Sequence, residues 1–160
     1  MPYPESLVAP MRAELTRLGV RELKTAADVE STFKEWENEE FVLVVNSVCG
    51  CAAANARPAV ALAMRSEPRP HRWATVFAGQ DLDATAKARE FLPGIPPSSP
   101  FIALMKGSDP VFVLERRHIE GRSASMIASD LVGAFDGRVG QNDDDQPNTT
   151  QASDTFRSIL

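Results

Sequence analysis

The chain has 160 residues, 43% apolar and 24% charged, enough for one globular domain with a sizeable core. A net charge of -5 argues against nucleic-acid or membrane-surface binding, which needs a basic patch. The first 20 residues hold no continuous apolar stretch of the signal-peptide kind, and no run approaches the ~18 residues of a membrane span, so the expected compartment is the cytoplasm.

Leu7, Val8, Met11, Leu15 and Leu18 recur at helical spacing, and Gly19 supplies a stop. Residues 20–24 are expected to form a short strand. Thr25 reads as the cap of a second helix, with Asp28 three residues on as a variant capping box. Ala26, Val29, Phe33 and Trp36 form its apolar stripe. Residues 41–45, continuously apolar, read as a buried strand of a parallel sheet. The two cysteines follow. Residues 52–66 are an Ala-rich helix, expected to kink at Pro58. A strand at 72–77 and a helix at 81–92, with Asp81 near its cap, come next. "PGIPPSSP", residues 93–100, cannot be regular structure.

Residues 101–106 and 111–115 read as strands joined by a "GSDP" turn. "IEGR", residues 119–122, reads as a loop between strand and helix. The helix at 123–135 turns Ile127, Leu131, Val132 and Phe135 to one side. The domain is thus expected over residues 1–137. Residues 138–160, polar with an acidic triplet, are expected to be a flexible tail.

Without its first helix, this order is β-α-β-α-β followed by a hairpin and a helix. That is the thioredoxin topology: an α/β fold with a mixed central sheet flanked by helices, here with an extra N-terminal helix. The cysteines sit after the second strand and Pro100 just before the fourth. Those are the places where such a fold carries its reactive cysteines and its cis-proline.

Cys49-Gly50-Cys51 contains the chain's only two cysteines. In a reducing compartment such a pair is more often catalytic, redox-sensing or metal-binding than structural. The thiolate is the attacking species in disulfide exchange. A helix N-terminus offers unpaired N–H groups and the positive end of the macrodipole, and both favour the anion. Cys49, placed before a helix that opens near Ala52, is therefore the expected nucleophile. Gly50 would widen the backbone choices for a one-residue disulfide loop. Such a strained bond is easily reduced, which suits an intermediate.

Two other readings stand beside this one. The cysteines could be inert core residues. They could also bind metal, but zinc needs four ligands and His71 and His118 are the only histidines. A two-coordinate Cu(I) site needs only the two thiolates. Trp36 and Trp73 read as core, and His118 as a solvated loop residue. Arg116 and Arg117 read as a charged loop that could attract an anionic thiol. A cis bond at Pro100, after Ser99, would stop backbone pairing there and let Ser99 meet a substrate disulfide.

"VVNSVCGCAAANARPA", with "TVFAGQD" and "PPSSP" downstream, resembles the bacilliredoxin family. The resemblance continues through "MRAELTRLGVRELKTAADV" and "RRHIEG" and covers roughly residues 5 to 136. Many members carry a further cysteine just after the last helix; "AFDGRVG" has none here. The resemblance implies a cytoplasmic thiol–disulfide oxidoreductase that removes bacillithiol from mixed disulfides on proteins. Disulfide isomerase activity is also associated with the family. It implies Cys49 as nucleophile and Cys51 as resolving cysteine, with the backbone at Ala52 stabilising the sulfur; Gly50, Ser99 and Pro100 are the further supporting residues expected from their places in the fold. Its partners would be S-thiolated client proteins and a small thiol such as bacillithiol as co-substrate, with no bound cofactor or metal.

Overall fold

The structure, a computed structural model, describes residues 2–137. The expected tail at 138–160 lies outside them. In chain order the elements are α1 (Glu5–Thr16), β1 (Arg21–Glu22), α2 (Ala26–Glu35) and β2 (Glu40–Asn46). A π-helical turn (Ala52–Ala56) then leads into α3 (Arg57–Ala63), β3 (Arg72–Phe77) and α4 (Leu82–Arg89). The described residues end with β4 (Phe101–Lys106), β5 (Asp109–Leu114), α5 (Arg116–Ile119) and α6 (Ala124–Phe135).

The sheet order is β1-β3-β2-β4-β5. β1, β3 and β2 run parallel, while β4 is antiparallel to both β2 and β5. Side chains alternate across the pleat, so β2 feeds both cores. Phe41, Leu43 and Val45 face α2 and α4, with Val29, Phe33, Ala84 and Ala88. Val42 and Val44 face α3 and α6, with Val60, Ile127 and Leu131. Leu15 of α1 joins the second core, so the extra N-terminal helix packs as part of the domain. Trp36 and Trp73 are core residues, as their apolar settings imply.

Several local features differ from expectation. The first strand is only two residues long, because it is an edge paired with β3 alone; Leu23 N–H extends that pairing by one bond to Thr75 O. Pro58 does not break its helix. It has no N–H for the Ala54 carbonyl, and the turn before it widens so that Arg57 N–H reaches Ala52 O. Asp81 precedes α4 but its side chain does not cap it, because Arg12 takes both carboxylate oxygens.

The hairpin turn is shorter than "GSDP", and Pro110 lies inside edge strand β5, where a missing N–H is tolerated. The turn needs glycine at 107: φ is +59°, and a side chain would run into the Glu37 carbonyl. Beyond β5 the expected loop contains the short helix α5. His118 is accordingly half-buried, and its Nδ1 accepts the Glu115 N–H at 2.9 Å.

Candidate active site

β2 ends at Asn46, and Ser47 and Val48 carry the chain over the sheet edge to Cys49. The Cys49 carbonyl accepts the amides of Ala52 at 3.1 Å and Ala53 at 3.3 Å. Cys49 therefore stands at the helix N-terminus, and the helix opens at Gly50. Gly50 does not have positive φ, and a Cβ there would meet nothing within 4 Å. The freedom expected of this glycine is thus not used in the dithiol form. What its missing side chain does is leave the flank of the motif open.

Cys49 and Cys51 are free, half-buried thiols with their sulfurs 2.7 Å apart. The Ser47 Oγ accepts the Cys49 N–H and donates to the Cys49 Sγ, each at 3.3 Å. Burial pushes the Cys49 thiol up. The Cys51 thiol, the Ser47 hydroxyl and the amides of Ala52 and Cys51 outweigh it and hold the group below its ordinary value. Cys51 moves the other way: burial and the neighbouring Cys49 sulfur push it up, against the pull of Arg116. One sulfur is thus biased towards thiolate and the other towards thiol. That is the division of labour a nucleophile and a resolving cysteine need.

The Val45–Phe101 pairing brings the residues before β4 to the same sheet edge as the cysteines. The Ser99–Pro100 peptide there is cis, as is Glu67–Pro68. α5 closes over this loop. Arg116 donates its backbone N–H to Ser98 Oγ at 3.2 Å, and its Nη1 lies 3.4 Å from Ser99 O. The exposed Arg116 pairs with Glu120 at 3.5 Å, and negative charge on the two sulfurs raises its pKa.

Sequence reasoning did not single out Ser47, Asn46, Arg57 or Glu14, which lie directly beneath the motif. Arg57 is 3% exposed. Its Nη1 donates to Asn46 Oδ1 at 2.9 Å and to Ser47 O at 3.0 Å, and its Nε to Glu14 Oε1 at 2.8 Å. The one legible signal was the polar pair Asn46-Ser47 ending an apolar strand. An arginine in a helix reads by default as solvated. Among the described residues, no three histidine, cysteine or acidic side chains gather as a metal site. No helix among them is long and apolar enough to cross a membrane.

The family model described as disulphide isomerase matches residues 3–138. A bacilliredoxin of Salinibacter ruber is 53% identical, covering 99% of this chain and 99% of its own. A bacilliredoxin of Geobacillus kaustophilus is 51% identical over 84% of this chain and 92% of its own. Among solved structures, Fasciola hepatica thioredoxin superposes with a TM-score of 0.52 at 22% identity, covering 74% of this chain and 99% of its own. That likeness establishes the thioredoxin fold.

Proposed function

This chain belongs to the bacilliredoxin family, and from that premise and the asymmetry of its two thiols we propose that it removes a low-molecular-weight thiol of the bacillithiol kind from mixed disulfides on proteins. Family membership gives it a thiol–disulfide redox role, carried on a thioredoxin fold. The observation that carries the proposal is the Cys49 sulfur at a helix N-terminus, hydrogen-bonded to the Ser47 hydroxyl and the Cys51 thiol, with its pKa held below the ordinary value.

In the reaction, the Cys49 thiolate attacks the small thiol's sulfur in the mixed disulfide. The client leaves as its own thiolate and takes up a proton, and Cys49 holds the small thiol. Cys51 loses its proton and attacks Cys49 Sγ, expelling the small thiolate and leaving a Cys49–Cys51 disulfide. A second small thiol can instead attack the adduct, forming the small-molecule disulfide and returning Cys49 as thiolate. Arg116, exposed and within electrostatic reach of both sulfurs, suits a small thiol that carries negative charge. Ser99, before Pro100, lies where a substrate disulfide would meet backbone. The setting is the cytoplasm.

The test is a client protein carrying bacillithiol on one cysteine. The parent chain should free the client thiol, Cys51→Ser should accumulate the adduct on Cys49, and Cys49→Ser should do neither. Full activity in Cys49→Ser would show that the nucleophile is wrongly assigned. The family model's description favours a second reading, disulfide isomerisation on the same two sulfurs. A client with scrambled disulfides, recovering activity without any small thiol, would favour that reading.

A further inference from the structure

We propose that the Ser47 hydroxyl is a catalytic hydrogen-bond donor to the Cys49 sulfur, and that Arg57, buried beneath it, is the positioning residue that aims it. The inference rests on the assignment of Cys49 as nucleophile. Ser47 lies in the connection between β2 and the helix, where nothing in the secondary structure fixes it. Yet each of its polar groups is held. Its N–H donates to Asn46 Oδ1 at 2.9 Å, and its carbonyl accepts from Arg57 Nη1 at 3.0 Å. Its Oγ accepts the Cys49 N–H, so the hydroxyl proton is left for the sulfur 3.3 Å away. A thiolate has no proton of its own, so in the reactive state Ser47 can only be the donor.

Arg57 fixes this arrangement from below. The same Nη1 also binds Asn46 Oδ1, the oxygen that holds Ser47 N–H. Its Nε is anchored by Glu14 of α1, and Asn46 Nδ2 reaches Met11 O on that helix at 3.3 Å. The N-terminal helix outside the thioredoxin topology therefore becomes part of the active site. Fold stability alone accounts poorly for this unit, because burying a guanidinium costs desolvation that its partners often do not repay relative to apolar packing of the same volume. Its distinctive product is the fixed geometry of one loop residue. The other titratable or charged groups whose charge reaches Cys49 or Cys51 are Arg116 and Glu120 from the α5 segment.

Ser47 would act twice. It stabilises the attacking thiolate, and it stabilises Cys49 as the leaving group when a second small thiol cleaves the adduct. The experiment follows alkylation of Cys49 by iodoacetamide against pH in a Cys51→Ser background, read by mass spectrometry. Ser47→Ala should raise the midpoint by about one pH unit, as expected for one hydrogen bond to a charged group. The rate at pH 7 should fall by up to about tenfold, while the high-pH plateau persists. Ser47→Thr, which keeps the hydroxyl, should restore most of the shift. Arg57→Met should move the midpoint the same way by a smaller amount. If that variant does not fold, Glu14→Ala, which removes the acceptor that anchors the same guanidinium near the surface, takes its place under the same criterion.

An unchanged midpoint in Ser47→Ala overturns the proposal. A shift in Ser47→Ala with none in the folded Arg57 or Glu14 variant overturns the positioning role. No disulfide substrate enters the assay. A chain inactive on bacillithiolated protein can still show the shift, and an active chain can still fail to show it.

Discussion

Arg12 of α1 is 7% exposed and binds three carboxylates from three parts of the chain. Asp81 takes both of its oxygens to the guanidinium, at 2.7 and 3.0 Å, and Glu22 of β1 lies at 2.9 Å. Arg12→Met keeps the aliphatic stem and removes the cation. Glu5 loses the hydrogen bond that lowers its pKa, but its exposed carboxylate stays hydrated. Asp81, whose side chain is only 12% exposed, is left desolvated with no cation beside it. Removing one partner of such a buried group costs about 3–5 kcal/mol. Against a domain stability of about 5–15 kcal/mol, that is a large fraction. Urea unfolding of the parent, Arg12→Met, Asp81→Asn and the double variant measures the loss and its pairwise part. The cycle should return an interaction energy of at least ~1 kcal/mol. A loss below ~1 kcal/mol in Arg12→Met would refute the view that this cluster pins α1 to the sheet edge.

Gly107→Ala should destabilise the domain by at least ~2 kcal/mol in the same assay, since it adds a side chain at positive φ against the Glu37 carbonyl; a neutral result would contradict the turn geometry. His118 is pushed below its ordinary pKa, first by burial and then by Arg117, so the unfolded chain takes up its proton first. Its contribution to stability is therefore complete above about pH 6.5 and is lost as pH falls through the lower folded value. Protonation also removes the Nδ1 acceptor of the Glu115 N–H, so α5 should loosen in the same window; an imidazole titrating at or above the ordinary value by NMR would count against this. Arg116→Gln should raise the Cys51 pKa further and slow resolution, so the Cys49 adduct lasts longer. That difference should fade at high salt, and an adduct lifetime equal to the parent's would remove Arg116 from the site.

The architecture was legible in the sequence because burial writes periods. Residues 41–45 are apolar without a break, and the central strand β2 is buried on both faces. Thr25 and Asp28 announce their capping box, and Thr25 Oγ1 accepts Asp28 N–H at 3.0 Å. The element order then placed the cysteines and Pro100 at one edge. What escaped is polar and long-range. Arg12 meets Asp81 across 69 positions, and Arg57 meets Glu14 across 43; no spacing rule links them. Asp81 stands at the N-cap of α4 as the sequence suggests, but its distant partner Arg12 takes its carboxylate away from the helix amides. α5 was missed because four residues are too few to show a period.

The central claim, that Cys49 is the activated sulfur of the pair, is tested most directly by alkylating the reduced parent chain with limiting iodoacetamide and following the Cys49 and Cys51 adducts separately against pH. Cys49 should be labelled first at pH 7, with a midpoint below the ~8.5 of an ordinary thiol. Labelling of Cys51 first, or of both sulfurs together with an ordinary midpoint, would contradict the account.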